Sequence, residues 1–151
     1  MNHYVMKMKH IQLAKTLTFL GMIPFIAPVI GHLFGVRDMH LAQFALNYGA
    51  VIAAFLCGIH WGLFLAKSDQ TRLNLLITSN AFTLLAWASL LTLIPRYQYL
   101  IQIACFASLL MIDIELGKEG VIPRWFVHLR KVVSSIVLIS LIAMTWIHWA
   151  A

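Results

Sequence analysis

Apolar residues run along this chain in long blocks, and the polar residues gather in the gaps between them. Blocks of this length match the ~20 residues that a helix needs to cross a bilayer core. Five spans are predicted, at about 16–35, 41–66, 73–94, 97–116 and 132–148. The connector 36–40 is short, so the first two spans form an antiparallel hairpin. In the polar turn 67–72, Ser68 or Asp69 is a candidate cap for the third span. That span is ~33 Å long at 1.5 Å per residue and stops at Pro95-Arg96. In the loop 117–131, Pro123 is suited to open a short helix with Trp125, Phe126 and Leu129 on one face. Such a segment, about 123–131, is amphipathic and lies in the membrane interface. The expected fold is an all-α membrane protein, a five-helix transmembrane bundle, with 1–151 as a single domain.

Composition agrees with the pattern. Hydrophobic residues make up 62% of the chain and charged residues 11%. A soluble domain has about half apolar and a quarter charged residues. The net charge of +6 would suit a nucleic acid if it formed a patch, but the Lys and Arg stand in the gaps between spans. With five spans, one side holds nine basic residues: Lys7, Lys9, Lys15, Lys67, Arg72, Lys118, Arg124, Arg130 and Lys131. The other side holds only Arg37 and Arg96. The positive-inside rule therefore predicts a cytoplasmic N-terminus and an outside C-terminus. Residues 1–15 read as a basic tail, because the apolar run behind them is too long for a signal peptide and has no cleavage motif. Trp146 and Trp149 read as an aromatic belt near the far end of the last span.

Two features inside the spans stand out. Pro24 and Pro28 remove backbone donors one turn apart, which predicts a kinked first span. Gly21 beside them permits close approach. In the second span Ala50, Ala54, Gly58 and Gly62 recur every four residues. On a helix this is a strip with almost no side chain, suited to packing against the kinked first span or another helix.

Polar groups from several spans share one level. Counted from the cytoplasmic ends, His60 lies ~9 Å in, Asn80 ~10 Å, Asp113 ~5 Å and Pro24 ~12 Å. Arg130 and Trp125 stand at the mouth. Ionisable groups inside a membrane face the bundle interior or water and mark candidate sites. The functional reading is a cytoplasm-facing cavity with His60 and Asp113 as an orienting pair, Asn80 as a donor, and Trp61 and Trp87 as apolar walls. The packing reading has His60 bonded to a carbonyl freed by Pro24, and Asp113 paired with Arg130.

Other chemistry is sparse. Cys57 and Cys105 have no CxxC or Cys/His spacing and read as small packers. No metal-ligand pattern appears among the histidines. Only His60 lies deep enough for a haem ligand, with no partner histidine at its level. Asp113 and Glu115 are two residues apart and point to different helix faces, which makes a poor acid/base pair. No catalytic residue and no cofactor are expected.

Several short motifs, taken in order, resemble a known family. These are Gly21-x-x-Pro24-Phe25, Tyr48-x-Ala50, Phe55-x-x-Gly58-x-x-Trp61-Gly62, Asp113 at the end of the fourth span, and Pro123-x-Trp125-x-x-x-x-Arg130. The set resembles the bacterial membrane proteins called domain of unknown function 3429, whose eukaryotic relatives are transmembrane protein 69-like. The resemblance implies a five-helix protein of a bacterial inner membrane and implies no biochemical activity. The five-helix tryptophan-rich sensory proteins are a weaker match, because their early Trp/Pro-rich loop is absent here.

Three functions remain in view. The first is a non-enzymatic accessory protein that packs against a membrane-protein partner, or a homo-oligomer, within the lipid bilayer. The second is a binder or carrier of a small apolar ligand such as a quinone, isoprenoid or tetrapyrrole. The third is transport of a proton or small solute, with no inverted repeat to support it.

Overall fold

A computed structural model describes residues 2–36 and 39–150, with the side chains of 8–36 and 40–148. The side chains of Lys7, Arg37 and Trp149, used in the charge and aromatic-belt expectations, lie outside the described residues. The helices are α1 (Asn2–Leu20), α2 (Ile23–Leu33), α3 (Met39–Lys67), α4 (Leu75–Ser89), α5 (Pro95–Lys118) and α6 (Arg124–Ala150), with a 3-10 turn at Ser68–Gln70. Helices α1 and α2 are the two halves of one broken span, so the described residues form five helical units. Among the described residues, four stretches are long and apolar enough to cross a membrane: Met8–Leu33, His40–Gln70, Pro95–Lys118 and Arg124–His148.

The first span differs from its expected form. It breaks at Gly21-Met22 instead of kinking, and it begins well before residue 16. Pro24 stands in the first turn of α2, where its missing N–H has no consequence. The Phe25 N–H turns to the Met22 carbonyl at 3.0 Å, and the Gly21 carbonyl accepts instead from the Tyr48 hydroxyl at 3.1 Å. Tyr48, not His60, therefore serves the broken ladder. At the other end α2 closes on Gly35, whose φ of +81° lets Val36 N–H reach the Gly31 carbonyl at 2.9 Å.

The third unit is shorter than expected. Helix α4 has 15 residues, ~22 Å at 1.5 Å per residue, and its apolar tail beyond Ser89 turns back as a loop. Pro95 disfavours helical backbone at Ile94, and Thr92 folds its hydroxyl onto the Ser89 carbonyl at 2.8 Å. The α4 cap is Asn74, whose Oδ1 accepts from Leu76 and Ile77 N–H. Ser68 and Asp69 sit instead in the 3-10 turn. The separate interfacial helix is also absent: residues 124–131 are the first turns of the continuous helix α6.

The core joins α2, α3, α5 and α6 around Phe25, Leu46, Tyr99, Phe106, Leu109 and Leu141. Phe25 meets Tyr48 and Phe106 edge-to-face, with centroids 5.5 and 5.6 Å apart. Helix α1 is different. None of its described residues is buried, and only Ile11, Ala14 and Thr18 are partly covered. Their spacing places them on one face of the helix, and its closest approach is to α6.

The small-residue strip is not the contact expected. Ala50 is buried, but Gly58 and Gly62 are exposed, and a Cβ on either would meet nothing within 4 Å. The strip rotates out of the bundle because four-residue spacing drifts around a helix of 3.6 residues per turn. The close approach is at Gly49, where a Cβ would collide with Gln102 Oε1 and press on Phe25.

Candidate functional site

The α5–α6 hairpin sets up the polar centre. Helix α5 ends in a tight turn with Gly120 at φ +75° and Val121 N–H bonded to the Leu116 carbonyl at 2.9 Å. Gly117 then lets the two helices meet, since a Cβ there would strike Val127 Cγ2. Lys67, at the end of α3, donates to the Val121 carbonyl at 2.8 Å and ties a third helix to this corner. One turn inward from Gly117 on α5 is Asp113, and three residues beyond Val127 on α6 is Arg130.

Three helices converge on the Asp113 carboxylate. Arg130 Nε donates to Oδ2 at 2.6 Å, and His60 Nε2 from α3 reaches Oδ1 at 3.0 Å. His60, Asp113 and Arg130 are 1%, 3% and 4% exposed. An ionised carboxylate only accepts, so the histidine donates from Nε2. A charge in so dry a place is tolerated only when paired and hydrogen-bonded, and both carboxylate oxygens are used. The two pairings inferred separately from sequence, His60 with Asp113 and Asp113 with Arg130, are thus made together. Arg130 was counted as a loop charge, but it lies inside the bundle. This lowers the basic count on that side without reversing it.

The remaining expected residues do not join this centre. Trp61 and Trp87 are 42% and 58% exposed and face away from the bundle. Asn80 is exposed and turns its amide onto its own helix, donating to the Leu76 carbonyl at 2.8 Å. Trp125 is partly covered on α6, edge-to-face with Phe126 at 5.7 Å. It borders a surface groove with Lys15 and Phe19 of α1. Facing outward, Trp61 and Trp87 wall no cavity beside the buried His60 among the described residues. Residue spacing fixes height within the membrane but not rotation around each helix axis.

A cavity of about 370 Å³, partly open to its surroundings, lies instead beside Arg130. Its walls include Thr18 of α1, Tyr48 and Ile52 of α3, Phe106 of α5, and Arg130 and Ser134 of α6. Its volume falls in the lower part of the range of small-molecule sites, about 300–1,000 Å³. The half-covered face of α1 forms one side of it through Ala14 and Thr18. Two buried polar atoms of lining residues have no hydrogen-bond partner, Arg130 Nη2 and Ser134 Oγ. The ring Nδ1 of His60 has none either. Ser134 had drawn no notice in the sequence, although a hydroxyl one turn after Arg130 on the same helix face was a readable signal.

A second polar cluster, uncharged, occupies the far end of the bundle. Gln102 is fully buried and donates to the Leu46 carbonyl at 2.7 Å and to Ser89 Oγ at 3.3 Å, joining α3, α4 and α5. Gln98 donates to the Thr92 carbonyl at 2.6 Å and holds the α4–α5 loop.

Fold and site define a multi-pass helical membrane protein with a buried ionic centre beside an apolar cavity. The chain belongs to the family described as protein of unknown function (DUF3429), whose model matches residues 11–146. It is similar to transmembrane protein 69 of Xenopus tropicalis, 27% identical over 129 residues, covering 81% of this chain and 49% of that protein. Transmembrane protein 69 of Mus musculus is 27% identical over 135 residues, covering 83% of this chain and 52% of that protein. The chain thus spans about half the length of these curated relatives. No solved structure matches it.

Proposed function

We propose that this protein is a non-enzymatic binder of one small apolar molecule, held inside the membrane between α1, α3 and α6. The observation that carries this reading is the 370 Å³ cavity, apolar in most of its wall, with the buried Arg130 and Ser134 side chains in its lining. That volume adjoins the buried ion pair, the kind of ionisable group that marks functional sites inside membranes. The nearly uncovered α1 gives the cavity a wall that can move without disrupting the core. With Arg130 set aside, the eight basic residues on one side of a five-span chain support a cytoplasmic N-terminus in a bacterial inner membrane.

The test is native mass spectrometry of protein purified in mild detergent. Wild type is expected to carry one bound molecule of discrete mass. Val137→Trp, which places an indole in the cavity wall, is expected to release it with the helical circular dichroism unchanged. Wild type that is empty across several detergents, or a Val137→Trp protein still loaded, would overturn the reading.

A second reading, an accessory protein of a larger membrane assembly, is favoured by Gly58 and Gly62 facing out of the bundle with open space around them. Small residues on an outer helix face permit close contact with a neighbouring helix. It predicts that Gly58→Leu, which leaves the bundle intact, dissociates a larger complex on native gels. Identical migration of wild type and variant as single chains would remove it.

A further inference from the structure

We infer that the molecule held in this cavity is uncharged and carries a carbonyl-type acceptor, which takes hydrogen bonds from Arg130 and Ser134. The inference rests on the binding reading above and narrows it to a ligand class.

Three observations lead to it. First, the unpartnered groups of the two residues can both donate. Arg130 spends its Nε on Asp113 and keeps a buried Nη2 without a partner, and Ser134 keeps a buried hydroxyl without one. Second, the lack of a partner at Ser134 is not what this helix does elsewhere. Ser140 and Thr145 on α6 return their hydroxyls to the Ile136 and Leu141 carbonyls at 2.9 and 2.8 Å, the usual way to satisfy a hydroxyl in an apolar helix. Ser134 has the same option toward the Arg130 carbonyl and does not use it. Third, Arg130 and Ser134 are one turn apart on one face of α6, so a single acceptor group can meet both.

The charge of the ligand follows from Asp113. The guanidinium is already neutralised by the carboxylate bonded to its Nε. A carboxylate or phosphate at Nη2 would place a second negative charge near Asp113 in a low-dielectric wall, with a single guanidinium for both. A carbonyl gains the hydrogen bonds without adding charge. A plain hydrocarbon fills the apolar space but leaves both donors unsatisfied. An uncharged carbonyl compound with an apolar body, such as a quinone or a long-chain ketone, is the class that fits both parts of the wall.

The experiment uses the purified protein stripped of bound molecules, with Nile red as a fluorescent occupant of the cavity. Tridecane, 2-tridecanone and dodecanoic acid are the competitors. In wild type, 2-tridecanone is expected to displace Nile red at about tenfold lower concentration than tridecane, the size of effect given by a hydrogen bond to a charged donor. Dodecanoate is expected to compete less well than the ketone. Ser134→Ala should reduce the ketone preference, and the paired change Asp113→Leu with Arg130→Leu, which leaves no lone charge, should abolish it while Nile red still binds. Equal competition by ketone and hydrocarbon, a preference for dodecanoate, or a ketone preference that survives both variants would overturn the inference and leave the binding reading in place. Failure of Nile red to bind wild type, or its full retention by Val137→Trp, would remove the binding reading itself.

Discussion

Arg130 and Gln102 both lie inside an apolar bundle, and both reach across to other helices, but they do so with different chemistry. Gln102 is neutral, and its amide ties α5 to the α3 backbone and to Ser89. Around it the helices close until Gly49 has no room for a Cβ. Arg130 is charged and needs Asp113, which in turn engages His60. Beside it the bundle opens into a cavity under the least-covered helix. The neutral cluster thus accompanies tight packing, and the ionic one accompanies space. An amide alone satisfies a structural need, whereas a buried ion pair adds little net stability over an apolar replacement. Its presence at the open end is what directs attention there.

The contrast can be broken by mutation, with stability read from denaturant titration in detergent by circular dichroism. Arg130→Leu leaves the Asp113 carboxylate buried without its cation and should lose about 3–5 kcal/mol. Adding Asp113→Leu to it should recover most of that loss. If the single and double changes cost the same, the pair is not the buried unit described. Gly49→Ala forces Gln102 and Phe25 to give way and should cost about 1–3 kcal/mol as overpacking; a neutral outcome would mean that the α3–α5 contact is loose. Gln102→Leu removes neutral interhelical hydrogen bonds, and such bonds average about 0.6 kcal/mol in membranes, with a maximum near about 1.7. A loss as large as that of Arg130→Leu would erase the distinction between the clusters. Gly58→Ala should change stability by no more than about 0.5 kcal/mol in the isolated protein, as expected at an open surface position.

Much of this could be read in the sequence, for identifiable reasons. Long apolar blocks and displaced basic residues announce a membrane bundle, because a bilayer permits few alternatives. His60, Asp113 and Arg130 stood out because ionisable groups are rare between such blocks, and counting residues from the span ends placed them near one level. The same count also admitted Trp61, Asn80 and Trp87, which the structure turns outward. Height along a helix follows from sequence position at ~1.5 Å per residue, whereas rotation depends on which neighbours pack where. His60 and its neighbour Trp61 share a height and face opposite environments. The glycines failed for the same reason: the regular strip to Gly62 drifts outward, while Gly49, outside the strip, makes the contact. The cavity was displaced because it depends on how far α1 stands from α6, a tertiary distance with no local signature. Ser134 was legible only after Arg130 had been placed.

The central claim is that the space beside Arg130 holds a distinct molecule and not bulk lipid. The most direct measurement is photo-crosslinking in native membranes, with a small diazirine-bearing aliphatic residue placed at Ile52, which lines the cavity, or at the next residue, Val51, which faces outward. The account predicts one adduct of discrete mass at position 52 and a spread of phospholipid adducts at position 51. The same phospholipid spread at both positions would contradict it.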